Sequence, residues 1–373
     1  MKISNVEAVH LRLPEVDALR CDGTQDTLLI FVTADDGTVG VGEVDSSPEV
    51  AKAVVEAAPS HLIAQGLRSL LIGEDPLDID RLWHKMVAGT RYFGNGGPAM
   101  HAISGVDIAL WDLAGKVLGR PVGQLFGGFY TDRLRAYASL VMPDTAAEAA
   151  REAEKHAQEG YTAIKFGWGP IGQDLAFNES LIRAIRGVVG AEVQIMIDAG
   201  QVWDLKTALE MARMYESYAV TWLEEPVAPD NIAGYRELSR RSSLKIAGGE
   251  QESTYGAFER LLHDGEVDII QPDLARCGGL TQARRLAWLA HTAHRSIVPH
   301  AFKSGVLVAA STHFAAAIPN GGLIEHTVST SPIARDLVQR EIGYRDGHVR
   351  VPSELPGLGV EIDLDVMERL RVP

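Results

Sequence analysis

The chain has 373 residues, of which 46% are hydrophobic and 23% charged, so it is typical of a soluble globular protein large enough for two domains. Its formal net charge of -15 argues against a nucleic-acid partner, because nucleic-acid binding requires a basic surface. No apolar run is long enough to span a bilayer, and the N-terminus lacks the apolar core of a secretory signal. The two cysteines, Cys21 and Cys277, imply no disulfide framework and favour a cytoplasmic location.

The N-terminal region predicts an α+β unit over residues 1–125. Residues 28–33 form an apolar strand pattern, and an Asp-Asp-Gly turn leads to a return strand at residues 39–43, which indicates a hairpin. Residues 98–117 are apolar at helical spacing and are followed by a Gly-Arg-Pro stop.

From about residue 130 the pattern changes to alternating strands and helices. Thr145 and Glu148 have the spacing of a capping box and predict the first helix of this region. Eight strands are predicted, at residues 135–141, 161–165, 194–198, 220–224, 245–249, 267–273, 296–300 and 321–325. The polar residues that end the third to eighth strands recur every 23–27 residues, which fits βα units. The predicted fold is therefore α/β, a (β/α)8 barrel over residues 126–340.

The tail from about residue 341 has no place in a barrel of eight units. We expect residues 341–373 to pack back on the N-terminal unit and to form one domain with it.

Three of the predicted strands stop at an acid: Asp198, Glu224 and Glu250. Because parallel strands bring their carboxyl ends to one edge, these acids would repel one another unless a cation lay between them. The ligand set contains only oxygen donors, which favours Mg²⁺ over zinc. Three carboxylates also leave coordination positions for a substrate carboxylate and its neighbouring hydroxyl.

Four more polar residues fall at strand ends: Lys165, Asp273, His300 and Glu325. A carboxylate bonded to one imidazole nitrogen fixes the tautomer, so Asp273 beside His300 predicts a general base. Taken singly, each strand-end residue is better explained as a solvated loop residue or a helix N-cap. Their joint occurrence at one barrel mouth favours an active site.

These residues resemble the enolase superfamily, in its mandelate racemase-like subgroup. The matching segments are Ile197-Asp-Ala-Gly, Trp222-Leu-Glu-Glu-Pro, Ala247-Gly-Gly-Glu, Gln271-Pro-Asp, Val298-Pro-His, Ile324-Glu and, before the barrel, residues 104–112. The resemblance implies Mg²⁺ on Asp198, Glu224 and Glu250, His300 as a base paired with Asp273, and Glu325 as a hydrogen-bond partner of an enediolate. It also implies a capping domain whose loops near residues 17–26 and 44–50 select the substrate, and a homo-oligomer.

Two positions depart from the subgroup. Its Lys-x-Lys motif is Lys165-Phe-Gly167 here, which removes the second lysine, and Gly200 replaces a common Asn. Lys165 itself either neutralises the substrate carboxylate or faces solvent. Because only His300 is a clear proton acceptor, we expect a dehydratase of aldonic or aldaric acids. The alternatives are a racemase, epimerase or lactone cycloisomerase acting on a small carboxylate, and a metal-binding protein without turnover.

Overall fold

The computed structural model describes residues 1–339 and 343–373. Its N-terminal unit contains an antiparallel sheet of β1 (Ile3–Arg12), β2 (Asp26–Ala34) and β3 (Val39–Val44), then α1 (Pro48–Glu56), α2 (Leu67–Leu71), α3 (Ile79–Gly89), a 3-10 turn (Arg91–Phe93), α4 (Pro98–Leu118) and α5 (Val122–Leu125). The predicted hairpin and long helix are present. Gly40 and Gly42 allow α4 to lie directly on β3, because a Cβ at either position would lie 2.1 Å or less from a carbonyl oxygen of α4.

The second unit alternates strands and helices. In chain order it contains β4 (Arg133–Val141), α6 (Ala146–Gln158), β5 (Ala163–Gly167), a 3-10 turn (Gly169–Gly172), α7 (Leu175–Val189), β6 (Gln194–Asp198), α8 (Leu205–Ser217), β7 (Val220–Glu224), α9 (Ile232–Arg241), β8 (Lys245–Gly248), α10 (Tyr255–His263), β9 (Ile269–Ile270), α11 (Gly279–Thr292), β10 (Ser296–Ile297), α12 (Gly305–Ala316) and β11 (Leu323–Thr327). Among the described residues, no helix is both long enough and apolar enough to cross a membrane.

The eight strands of this unit form the predicted barrel. Strands β4 to β10 pair in parallel in chain order, and β11 pairs with β4, which brings the last strand beside the first. One apolar side chain per strand fills the interior in a single layer, formed by Tyr137, Ala163, Met196, Trp222, Ala247, Ile269, Val298 and Leu323. Successive side chains alternate in direction, so the residue two positions after each of these also faces the interior.

Two barrel strands are shorter than the sequence pattern predicts. The ladder of β9 ends at Ile270 and that of β10 ends at Ile297, although the apolar runs continue to residues 273 and 300. Pro272 and Pro299 explain the difference, because proline has no N–H to donate to a ladder. Beyond them the two chains meet again in an isolated bridge between Asp273 and His300. The helix predicted at residues 281–293 begins two residues earlier, at Gly279.

The tail partly follows the prediction. Helix α13 (Pro332–Arg335) precedes the tail, which contains β12 (Tyr344–Arg345), β13 (His348–Arg350) and α14 (Leu364–Leu370) and contacts the N-terminal unit through bridges from Gly357 to Pro121 and from Arg371 to Leu11. The tail also joins the barrel sheet, a pairing that the sequence analysis did not predict. Strand β13 pairs with β4 in antiparallel orientation and buries Val349 there. The predicted division at residues 125 and 126 falls between α5 and β4, whereas the one at 340 and 341 lies outside the described residues.

His313 of α12 gives the fold a predicted pH dependence. Its Nδ1 accepts a bond from the Gly123 amide at 3.3 Å and its Nε2 lies 3.2 Å from the Leu358 carbonyl oxygen, so the neutral Nε2–H form fits the core. Burial lowers the pKa of His313 to about 4. Between that value and the ordinary 6.5, the unfolded chain binds more protons, so the free energy of unfolding falls as pH falls. We expect this loss to approach about 3 kcal/mol and to be reduced in His313→Gln, measured by urea unfolding from pH 7 to pH 4. Equal pH slopes in both proteins would contradict it.

Candidate active site

The residues predicted at the strand ends meet at one mouth of the barrel. Lys165, Asp198, Glu224, His300 and Glu325 each follow a member of the apolar layer by two positions and therefore face the interior. With Glu250 and Asp273 they are all buried, with exposed fractions between 0 and 7%. The interpretation of these side chains as solvated loop residues is therefore wrong. Burying so many ionisable groups requires compensation by opposite charge or by hydrogen bonds.

Three carboxylates form an acidic cluster. One oxygen from each of Asp198, Glu224 and Glu250 lies within 4.8 Å of the other two. Burial, together with the charges of Glu224 and Glu250, raises the pKa of Asp198 well above its usual value, and burial also raises the pKa of Glu224. The cluster therefore favours either bound protons or a cation.

Asp273 and His300 form a hydrogen-bonded pair at the ends of neighbouring strands. His300 Nδ1 lies 2.6 Å from Asp273 Oδ2, while Asp273 Oδ1 accepts a bond from the Ala275 amide at 2.6 Å. The bond to Asp273 places a proton on Nδ1, and Nε2 lies 3.3 Å from Glu250 Oε2. Burial alone would lower the pKa of His300, but the charges of Glu250 and Glu325 and the bond to Asp273 raise it well above the usual value.

Lys165 faces the site, not the solvent. Its Nζ lies 2.6 Å from Glu224 Oε1 and 3.0 Å from Glu325 Oε1, and its side chain is 3% exposed. Burial alone would lower the pKa of Lys165, but these two carboxylates raise it well above the usual value. Burial alone would raise the pKa of Glu325, which Lys165 and His300 instead lower to about 2. Lys165 is therefore a buried ammonium, and the solvent-facing alternative is wrong.

Gly167 leaves no room for a second lysine on β5. A Cβ at this position would lie 2.8 Å from Asp198 Cβ and 2.9 Å from Asp198 Oδ2. Any side chain here would therefore displace a member of the acidic cluster. Among the residues that the structure describes, this side of the site has no proton acceptor equivalent to His300.

The N-terminal unit contributes a residue that the sequence analysis missed. Asp45 follows β3 and lies in the site, 2.8 Å from the Arg276 guanidinium and 3.3 Å from Lys303 Nζ. Burial alone would raise the pKa of Asp45, but Arg276 and Lys303 lower it strongly. Lys303 also donates to the carbonyls of Gly23 and Asp26 at 2.6 and 2.8 Å. No sequence signal marked these contacts, because they join side chains far apart in the chain.

A cavity of about 300 Å³ lies between the two units. Its walls include Lys165, Asp198, Glu250, His300 and Glu325 from the barrel. Asp45 and the loop from Arg20 to Gly23 complete the walls, so both segments that the resemblance implies as lid loops contribute. This volume is large enough for a small polar molecule.

Comparison with known proteins gives a family for this arrangement. The model of the mandelate racemase/muconate lactonizing enzyme N-terminal domain matches residues 2–127, and the model described as enolase C-terminal domain-like matches residues 148–366. The chain belongs to the mandelate racemase/muconate lactonizing enzyme family of the enolase superfamily. Its N-terminal unit is therefore the capping domain, above a (β/α)8 barrel.

Individual relatives cover almost the whole chain. It is 32% identical to the D-galactarolactone cycloisomerase of Agrobacterium fabrum over 361 residues, 93% of this chain and 91% of the relative. It is 33% identical to the D-xylonate dehydratase of Haloferax volcanii over 373 residues, 95% of this chain and 88% of the relative. A Streptomyces coelicolor A3(2) racemase structure with bound magnesium superposes with a TM-score of 0.87 at 29% identity, covering 99% of this chain and 100% of the other.

We expect Gly167→Ala to destabilise the protein by about 1–3 kcal/mol, because the added methyl overlaps Asp198. Urea unfolding measures this change. The control is Gly172→Ala, whose Cβ would meet Val202 at an ordinary 3.5 Å. If the two variants have the same urea midpoint, the overlap of the added methyl with Asp198 does not destabilise the protein.

Proposed function

We propose that this protein is a Mg²⁺-dependent dehydratase of an aldonic or aldaric acid. The observation that carries the proposal is the Asp273–His300 pair, 2.6 Å apart, whose Nε2 lies 3.3 Å from Glu250 of the three clustered carboxylates. His300 would remove the proton α to the substrate carboxylate. The hydroxyl on the next carbon would then leave as water, and the resulting enol would become a 2-keto-3-deoxy acid.

The acidic cluster suits a hard divalent cation. Asp198, Glu224 and Glu250 supply only oxygen donors, and Glu250 Oε2 has no hydrogen-bond donor with good geometry among the described residues. When bound, Mg²⁺ would act as a Lewis acid towards the substrate carboxylate and stabilise negative charge that develops there. The magnesium-bound Streptomyces racemase, as a structural neighbour, supports this choice of ion.

The remaining residues have defined electrostatic roles. Asp273 holds the His300 tautomer, so that Nε2 can accept the proton from carbon. Lys165 is the cation nearest the acidic cluster and would attract the substrate carboxylate. A hydrogen bond from Glu325 to the enediolate, as the resemblance implies, would require a protonated Glu325, whereas, against the effect of burial, Lys165 and His300 lower its pKa to about 2.

The choice of dehydration rests on the presence of a nitrogen base on only one side of the site. Lys165 is held as an ammonium by two carboxylates and Gly167 has no side chain, so His300 is the only nitrogen base among the described strand-end residues. A racemase needs an acceptor on each face of the α-carbon. The similarity to D-xylonate dehydratase supports the same choice.

Lactone cycloisomerisation is the second candidate, supported by the similarity to the D-galactarolactone cycloisomerase. It would use the same proton abstraction and the same stabilisation of the enediolate. The cytoplasmic location and the homo-oligomeric state stay predictions.

A panel of aldonic, aldaric and lactone substrates tests the proposal. We expect at least one acid to give a keto acid that reacts with semicarbazide, and His300→Asn to abolish this product because no base remains. The assay is run in D₂O with analysis of the α-carbon. Product from a lactone but from none of the open-chain acids would favour the second candidate, and retention of hydrogen at the α-carbon with every compound would exclude both.

The metal site is tested separately from turnover. We expect Asp198→Asn to weaken Mg²⁺ binding in calorimetry by at least about tenfold, because a charged ligand becomes a neutral one. Asp273→Asn is the matched control, since it should abolish turnover and keep the Mg²⁺ affinity. Equal Mg²⁺ affinity in Asp198→Asn and the wild type would place the cation elsewhere.

A further inference from the structure

Asp273 and His300, called the dyad below, are each followed by a helix, and the two helices share one kind of contact with the capping domain. Helix α11 follows the loop that carries Asp273, and α12 follows the loop that carries His300. In each helix, the amide of the third residue donates to a buried carboxylate of the capping domain. A helix N-cap residue normally supplies this acceptor from its own chain segment.

Asp107 of α4 is the acceptor for α11. Gly278, the N-cap residue of α11, has no side chain to offer, and Asp107 receives the Thr281 amide at 2.9 Å and the Thr281 hydroxyl at 2.6 Å. Gly279 has a φ of +75°, and a Cβ there would lie 2.3 Å from Asp107 Oδ2. Glycine is therefore required for the carboxylate to approach this closely.

The segment between Asp273 and α11 is fixed to the capping domain at a second place. The Gly278 amide donates to Ser104 Oγ at 2.8 Å, and Trp83 Nε1 donates to the Gly278 carbonyl at 2.8 Å. One residue earlier, the Cys277 amide donates to the Asp273 carbonyl at 2.8 Å. The backbone of Asp273 is thus connected to the capping domain through a single hydrogen-bonded turn.

Glu43 of β3 is the acceptor for α12. Its Oε2 receives the Ser304 hydroxyl at 2.7 Å and the Leu307 amide at 3.0 Å, and Oε1 receives Thr27 Oγ1 at 2.7 Å. Ser304 stands four residues after His300, at the end of the same loop. Both loops that carry the dyad are therefore hydrogen-bonded to the capping domain at their C-terminal ends.

We propose that Asp107 and Glu43 are positioning residues that align the Asp273–His300 dyad through the N-termini of α11 and α12. The inference rests on the proposed function, since it concerns the base assigned there. Neither carboxylate lines the cavity, so neither acts on the substrate directly. The capping domain thereby sets the geometry of catalysis as well as closing the site.

Asp112 provides a matched control within the same helix. It is as fully buried as Asp107, and it accepts two backbone amides, from Val41 and Leu358, at 2.8 Å each, besides an ion pair with Lys116 at 2.7 Å. These amides belong to β3 and to the tail, and neither lies in a dyad loop. Loss of Asp112 should therefore cost stability without disturbing the dyad.

The experiment compares Asp107→Asn, Glu43→Gln and Asp112→Asn in the full-length protein. We expect kcat to fall by about 10- to 100-fold in the first two variants, with KM and Mg²⁺ affinity changed less than about twofold, because substrate and metal contacts are intact. Asp112→Asn should keep kcat within about twofold of the wild type. The kcat of Asp107→Ala should be lower than that of Asp107→Asn, because asparagine retains one acceptor oxygen. If Asp107→Asn does not fold, Thr281→Val is measured instead, because it removes the hydroxyl that donates to Asp107.

A second readout does not depend on turnover. The Nδ1 proton of His300, bonded to Asp273, should give a downfield NMR resonance in the wild type. We expect it to shift or broaden in Asp107→Asn and Glu43→Gln and to stay in place in Asp112→Asn. An unchanged resonance in all three variants, or equal losses of kcat in all three, would overturn the inference. Absence of turnover in the wild type would refute the proposed function alone, since the resonance still tests the alignment.

Discussion

The fold holds three carboxylates close together in the buried mouth of the barrel. Asp198, Glu224 and Glu250 approach within 4.8 Å inside a barrel mouth where burial weakens screening by water. Such a cluster is stabilised by bound protons or by cations, and the fold supplies Lys165 on one side and the Arg276 guanidinium, 3.9 Å from Glu250, on another. The apolar layer beneath fixes the strands, so the carboxylates cannot separate to relieve their repulsion. A divalent cation would complete this balance.

The capping domain takes part in the same balance. Asp45 adds a negative charge between Arg276 and Lys303, so these two barrel cations are held by a residue from the other domain. Lys303 then binds the backbone of the loop that covers the cavity. The wall of the cavity and the charge compensation are therefore coupled, because Lys303 joins the backbone of this loop to Asp45.

Residues with regular spacing were predictable, and contacts between distant segments were not. The strand-end acids follow a βα repeat that is visible in the sequence, and an acid and an imidazole at neighbouring strand ends already predicted a pair of Asp273 and His300. Arg276 donates to the carbonyl of Asp45 across 231 residues, and no local pattern predicts such a contact. The pairing of β13 with β4 is equally non-local. The short ladders of β9 and β10 were predictable, since Pro272 and Pro299 stand in the apolar runs.

A single imidazole imposes a stereochemical condition on dehydration. In the proposed reaction His300 takes the proton from the α-carbon and is the nearest acid for the departing hydroxyl. One side chain can reach both groups only if they leave from the same face of the substrate. Lys165, held as an ammonium by Glu224 and Glu325, has no free electron pair with which to take a proton on the opposite face. If His300 serves both steps of the proposed reaction, the dyad would select the relative configuration at two carbons, and the loops held by Asp45 and Lys303 would discriminate among acids that share it.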